Sequence, residues 1–339
     1  MKKITLFLIG IAVCFVLTGC DEKYTISENI PDAENAVFTS TGRLFVTGGT
    51  NIYEIDGDGT ASSLCEEGKY NFTGMAQVGN CLYAVATEYR FDGSVAACGS
   101  LNVFSPTAVA DFVGCIADMF KRSVLLCAEI VPGDLSFTEI YTMQNALIPN
   151  GMVADTAGRL YIADETFLPV GKIIRLTLAG PMSVSRQETW LDASNKVYSP
   201  NGMDIRGNKI YFTDFNLWSF KQASVKTVSI GANGSPGAVA AIFERTGLFD
   251  DLAAGTVYGT NVVAVADFLK GTVVGIKDNG VKQSSPLAET DLGLFASPSS
   301  VTFGKGPNYT GLDLIVTEKG MMFEHYSDFG NRVSGMVIE

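Results

Sequence analysis

Apolar residues along this chain come in short runs that alternate or continue for five or six positions and then stop at a turn. Leu44-Phe45-Val46, Leu82-Tyr83-Ala84-Val85, Leu160-Tyr161-Ile162-Ala163, Ile210-Tyr211-Phe212, Val262-Val263-Ala264-Val265 and Leu314-Ile315-Val316 are the strongest of them. None continues into a helical period with caps at its ends, so the pattern predicts an all-β chain. Each run is preceded by a shorter one and a tight turn, and several are followed by a further strand. Two copies show the unit best. Pro149-Asn150-Gly151-Met152 leads through Gly158 to a strand ending at Asp164, and Pro200-Asn201-Gly202-Met203, 51 residues later, leads through Gly207 to a strand ending at Asp214. An Asn-Gly turn, a short strand, a Gly-containing turn and a second strand predict one hairpin unit. Repetition at about fifty residues predicts the blades of a β-propeller.

Six such units fill the chain, so a six-bladed ring is expected in preference to seven blades. Residues 106–146 contain two extra strand-like runs, Val124-Leu125-Leu126 and Glu139-Ile140-Tyr141, which are assigned to an enlarged second blade. Residues 332–338 are expected to help close the ring.

The first residues belong to a different pattern. Lys2-Lys3 followed by an apolar run over residues 4–17 has the layout of an export signal, too short for a membrane span. Leu17-Thr18-Gly19-Cys20 resembles the lipobox of bacterial lipoproteins. That resemblance implies cleavage before Cys20, lipidation of Cys20 and a protein held in the cell envelope, facing the periplasm. Asp21 resembles an inner-membrane retention signal of enteric bacteria, a rule that does not extend to all bacteria, so the leaflet stays open. The expected division is a signal peptide at 1–19, a lipidated Cys and polar tether at 20–32, and a propeller domain at 33–339.

Removing Lys2 and Lys3 takes the formal charge from −12 to −14. Such an acidic surface excludes nucleic acid as a partner and is compatible with a bound cation. The expected chain is monomeric and meets the membrane only through its lipid. Once Cys14 and Cys20 are set aside, Cys65, Cys81, Cys98, Cys115 and Cys127 remain without a C-x-x-C pair, which argues against a thiolate metal or redox site. Several are read as small buried hydrophobes.

Aligning the six hairpins places Glu34, Thr73, Asn150, Asn201, Asp250 and Ser299 at one phase, just before the first strand of each unit. In a propeller those positions face one axis. All six carry side-chain oxygen, and Asp251 adds a carboxylate beside the fifth. An oxygen-rich, net negative, sulfur-free cluster suits a hard cation such as Ca²⁺. Asp164, Asp214 and Asp267, at the other end of the hairpins, are read as acids that bond to turns.

Glu34, Asn150, Asn201 and Asp250 on Pro-Asn-Gly units resemble the metal ligands of the calcium-dependent six-bladed propeller hydrolases, the gluconolactonase and regucalcin group and the paraoxonases. The adjacent pair Asp250-Asp251 is closer to the paraoxonase pattern, with Asp251 standing where that family has Asn. The resemblance implies one central Ca²⁺ held by Glu34, Asn150, Asn201, Asp250 and Asp251. It further implies a calcium-dependent hydrolase acting on a lactone or ester, with Asp250 or Asp251 accepting the proton of the attacking water. Two departures matter. Asn35 and Gly151 stand where paraoxonases carry acids for a second calcium, and the single His325 excludes a His dyad. The alternative is a non-catalytic propeller whose central ion only rigidifies the ring. A strictosidine-synthase-like propeller shares the ring but not the metal set.

Overall fold

The computed structural model describes residues 22–65, 69–89, 120–131, 135–166, 170–320 and 329–338. Six antiparallel sheets of four strands each surround a common axis. The first blade is β2 (Ala33–Phe38), β3 (Leu44–Gly48), β4 (Asn51–Ile55) and β5 (Ala61–Ser63), and the second is β6 (Tyr70–Val78), β7 (Cys81–Tyr89), β8 (Phe120–Glu129) and β9 (Thr138–Thr142). The third runs β10 (Pro149–Ala154), β11 (Arg159–Asp164), β12 (Lys172–Gly180), β13 (Ser183–Leu191), and the fourth β14 (Pro200–Arg206), β15 (Lys209–Phe215), β16 (Ala223–Ser229), β17 (Ala240–Arg245). The fifth is β18 (Phe249–Val257), β19 (Thr260–Asp267), β20 (Thr272–Lys277), β21 (Ala288–Glu289). The sixth joins β22 (Pro298–Phe303), β23 (Asp313–Glu318) and β24 (Arg332–Val337) to β1 (Tyr24–Glu28), so the two ends of the chain close the ring.

The all-β, six-bladed expectation therefore stands, but β8 and β9, read from the sequence as enlarging the second blade, are its ordinary third and fourth strands, since that blade has four like the others. A second expectation is corrected. Part of the segment assigned to a tether, 20–32, is β1, whose Tyr24 to Glu28 pair in register with Gly335 to Arg332. Without it β24 would present an unpaired edge.

Apolar packing lies between blades. Phe45, Leu82 and Leu126 fill the gap between the first and second, Tyr161, Trp190 and Phe212 that between the third and fourth, and Phe295, Phe303 and Met336 that between the fifth and sixth. Alternation along each strand supplies both faces of its sheet, so every blade is a wall of two cores. Cys81 and Cys127 are free and buried in the core between the second and third blades.

The strand-ending acids lock the blades to the linkers that precede them. Asp164 accepts from the backbone N–H of Leu147 and Ile148, each at 2.9 Å, and Asp214 from Tyr198 at 2.9 Å and Ser199 at 2.8 Å. Glu318 takes Ala296 N–H at 2.6 Å in the sixth blade. Buried carboxylates that satisfy otherwise orphaned N–H groups are structural, as their recurrence predicted.

Candidate functional site at the axial mouth

The inner strand of every blade carries a register shift at one place, where the axial residues sit: after Ala33, Phe72, Pro149, Pro200, Phe249 and Pro298. A bulge bends a strand and re-aims its side chains. This corrects the reading of Asn150-Gly151 and Asn201-Gly202 as hairpin turns, because both pairs lie inside β10 and β14. Their glycines serve close approach. A Cβ on Gly151 would stand 2.4 Å from the Asn201 carbonyl oxygen, and one on Gly74 would stand 2.1 Å from that of Asn150. Inner strands can crowd the axis only if these positions lack side chains.

Hydroxyls then fix the bulged backbones. Thr47 donates to the Thr73 carbonyl at 2.7 Å and Thr317 to that of Glu34 at 2.9 Å, and Thr213 binds the carbonyl of Asp250. Thr73 and Ser299, two members of the axial set, spend their own hydroxyls on Pro149 O at 2.6 Å and Ala33 O at 2.5 Å. They are hooks between blades.

Glu34, Asn150, Asn201 and Asp250 are all buried, and the structure brings them together around two residues that reading the sequence did not find, Glu165 and Lys319. Asn150 Nδ2 donates to Glu165 Oε2 at 3.3 Å. The Lys319 ammonium donates to Glu34 Oε2. Burial pushes the Glu165 carboxyl up to about 7, with the Glu34 carboxylate adding to it and the Asn150 amide and Lys319 holding it back. Burial, then Glu34 and Glu165, drive Asp250 well above the usual carboxylate range. For Lys319 burial works against the charge, but Glu34 outweighs it and keeps the ammonium protonated. Three carboxylates sharing one recess cannot all ionise without a cation beside them.

Asp251 is placed elsewhere. Its Oδ2 accepts from Asn35 Nδ2 at 2.7 Å and Ser300 Oγ at 3.0 Å, and its Oδ1 from Leu252 N at 2.7 Å. Consecutive strand residues project to opposite sides, and here the second belongs to a separate polar layer with Asn35 and Ser300. The structure thus separates Asp250 and Asp251, which the sequence reading had grouped. His325, Cys20, Cys98 and Cys115 lie outside the described residues.

A signal for the missed pair exists. Glu165 and Lys319 each directly follow a strand-ending acid. Their backbone N–H groups donate to Ile148 O at 2.8 Å and Ser297 O at 3.2 Å, as Phe215 and Phe268 donate to Ser199 O and Leu248 O at 3.0 Å in the fourth and fifth blades. That shared backbone position carries two aromatic residues and two opposite charges, with Glu165 and Lys319 on the third and sixth blades, which face each other across the ring.

The donor set suits a hard divalent cation. It offers carboxylate oxygens from Glu34, Glu165 and Asp250, amide oxygens from Asn150 and Asn201, and no sulfur. Asn201 Oδ1 is buried without a hydrogen-bond partner, which is what an amide waiting to ligate would show. Among the described residues no three acids, His or Cys are close enough to hold an ion by themselves, so the amides are needed to complete a shell. The three carboxylates make the recess acidic enough for a divalent ion to be a suitable counter-charge.

No family model matches the sequence, and no match was found among curated proteins. Solved structures share the fold. A gluconolactonase from Xanthomonas campestris superposes with a TM-score of 0.62 at 13% identity, over 95% of this chain and 90% of that one. The soluble aldose sugar dehydrogenase of Escherichia coli gives 0.59 at 11% identity, over 94% and 99% of the two chains. The PQQ domain of pyranose dehydrogenase from Coprinopsis cinerea gives 0.57 at 10%, over 95% and 98%.

Proposed function

We propose that this propeller is a calcium-dependent hydrolase of a lactone or ester, working at its axial mouth. The observation that carries the reading is the convergence of Glu34, Asn150, Asn201, Asp250 and Glu165 on one recess, with the Asn201 oxygen unpartnered there. The likeness to a gluconolactonase propeller supports the ring but not the chemistry, since sugar dehydrogenases share it. Glu34, Asn150, Asn201 and Asp250 would hold the ion. Bound there, Ca²⁺ would supply a Lewis acid that polarises the substrate carbonyl and stabilises its oxyanion. Asp250, a buried carboxylate in the same recess, would accept the proton of the attacking water. Asn150 orients Glu165 through its amide N–H.

A non-catalytic reading has one observation in its favour: Lys319 already neutralises Glu34, so the cluster could serve only to rigidify the ring. Hydrolysis of aryl esters and aldonolactones by residues 22–339, with and without chelator, separates the two. Chelator-sensitive turnover that Asn150→Ala abolishes is expected. Calcium-dependent melting with no turnover on any such substrate would instead make the ion structural.

We further propose that the chain is a lipoprotein of the cell envelope, anchored at Cys20. β1 starts four positions after that residue, so the lipid would hold the ring close to the bilayer. Mass spectrometry of the N-terminal peptide from membranes is expected to show a diacylated or triacylated Cys20. An unmodified or uncleaved N-terminus would exclude the anchor.

A further inference from the structure

We infer that Lys319 is a tethered competitor for the axial cation site: in the ion-free protein its ammonium occupies Glu34 in place of a divalent ion, and ion binding expels it. This rests on the cation site proposed above and adds the residue that sets its affinity.

Lys319 Nζ and Glu34 Oε2 are in direct contact. Glu34 is the first blade's carboxylate in this cluster and one of the four residues proposed above to hold the ion. The same oxygen cannot serve a buried ammonium and a Ca²⁺ ion on equal terms, since the ion and the ammonium repel each other at close range. One of the two must yield, and the structure shows which. The Glu34 side chain is 8% exposed and the Lys319 side chain 23%. The backbone of Lys319 is pinned, with its N–H on Ser297 O at 3.2 Å and the following Gly320 N–H on Ala296 O at 3.0 Å. Just before it, Glu318 is clamped by Ala296 N at 2.6 Å and by Lys23 at 3.0 Å. What can move is the four-carbon stem, with its rotatable bonds. Rotation about its bonds withdraws the charge without disturbing the blade. The Asn201 oxygen, buried and unpartnered, is a ligand that Lys319 does not satisfy.

The alternative role for Lys319 is a permanent counter-ion that stays beside a bound metal. The two roles differ in sign. A competitor weakens ion binding, so removing it tightens binding. A permanent partner helps to balance three carboxylates, so its removal would leave affinity unchanged or reduce it by disturbing Glu34.

The test is calorimetric titration of Ca²⁺ into residues 22–339 stripped with chelator, at pH 7.5 and low salt, for wild type, Lys319→Met and Lys319→Arg. Lys319→Met is expected to bind Ca²⁺ at least tenfold more tightly than wild type, and Lys319→Arg, which keeps the charge, to stay within about threefold. Unchanged or weaker binding by Lys319→Met, or no Ca²⁺ binding by any of the three, overturns the inference. If Lys319→Met does not fold, the ammonium resonance of Lys319 in ¹⁵N-lysine wild-type protein, assigned with Lys319→Arg, gives the answer. It should shift or vanish as Ca²⁺ saturates, and a fixed resonance at saturation would overturn the competition. The hydrolase reading fails separately: Ca²⁺ could bind with the expected hierarchy while no ester or lactone turns over.

Discussion

Stability of the ion-free protein should fall as pH rises from about 5 to about 8, opposite to the behaviour of a chain whose acids are mostly salt-bridged. Glu165 holds its proton up to about 7 in the folded protein, whereas an unfolded Glu releases it near 4.3. Between those values the native state binds more protons than the unfolded state, so the unfolding free energy decreases with pH. A fully developed single-group difference is worth about 1.4 kcal/mol per pH unit. Across roughly two and a half units Glu165 alone should contribute about 3 kcal/mol, present below pH 4.3 and lost once the pH passes 7. Asp251, raised to about 7 by burial, and Asp250, raised well above its usual range, add to the same slope. Acids with the opposite tendency act lower. Glu139 and Glu289 are held down, against their burial, by Tyr70 with Arg122 and by Arg245, and they matter only as pH falls below the ordinary carboxylate value. The assay is urea unfolding at pH 5, 6, 7 and 8 in chelator, for wild type and Glu165→Gln, with m-values compared to confirm a common denatured state. Wild type should lose several kcal/mol over this range, and Glu165→Gln should lose about 3 kcal/mol less. Stability that is flat or rises from pH 5 to 8, or an equal loss in the variant, would refute the electrostatic picture of the mouth.

Three pairs of substitutions probe the parts separately. Asp250→Asn should abolish Ca²⁺-induced stabilisation in thermal melts, while Asp251→Asn, whose partners Asn35 and Ser300 lie in another layer, should retain it. Equal effects would return Asp251 to the ion site. Gly151→Ala puts a methyl 2.4 Å from the Asn201 carbonyl oxygen. It should cost about 3 kcal/mol in urea unfolding and weaken Ca²⁺ binding by displacing Asn201, whereas Gly207→Ala, with open space around it, should affect only its own turn. Thr73→Val removes the 2.6 Å bond to Pro149 O and leaves that carbonyl unpaired. A loss of about 1–2 kcal/mol is expected, with Thr73→Ser restoring most of it; no loss would mean the hook contributes nothing.

What could be read from the sequence is what repeats. The strand-ending Asp164 and Asp214 recur because the linkers before their blades present backbone N–H groups that need an acceptor, while Asp267 at the same position takes Arg245 and the Lys270 N–H instead. The phase of Glu34, Asn150, Asn201 and Asp250 recurs because every inner strand meets the axis. The bulge at that phase was read as a turn since Asn-Gly has the same local preference in both settings. The register shifts inside β10 and β14, and the close approach of Gly151 to the Asn201 carbonyl in the next blade, tell them apart. β1 was missed because Tyr24-Thr25-Ile26-Ser27-Glu28 has no hairpin partner nearby, and its partner β24 lies some three hundred residues away. Glu165 and Lys319 escaped for another reason. The position after the strand-ending residue is Gly49 in the first blade, Phe215 and Phe268 in the fourth and fifth, and Glu165 and Lys319 in the third and sixth, so no single residue type runs round the ring there. A search for shared residues passes over a site whose residues must differ. One axial ion needs several unlike ligands and one approach path, and six equal blades can supply them only where the repeat is broken. The blade-to-blade register is therefore the useful guide: residues that vary at a fixed position beside the axis are the ones to test first for chemistry, and Glu165 and Lys319 stand at such a position.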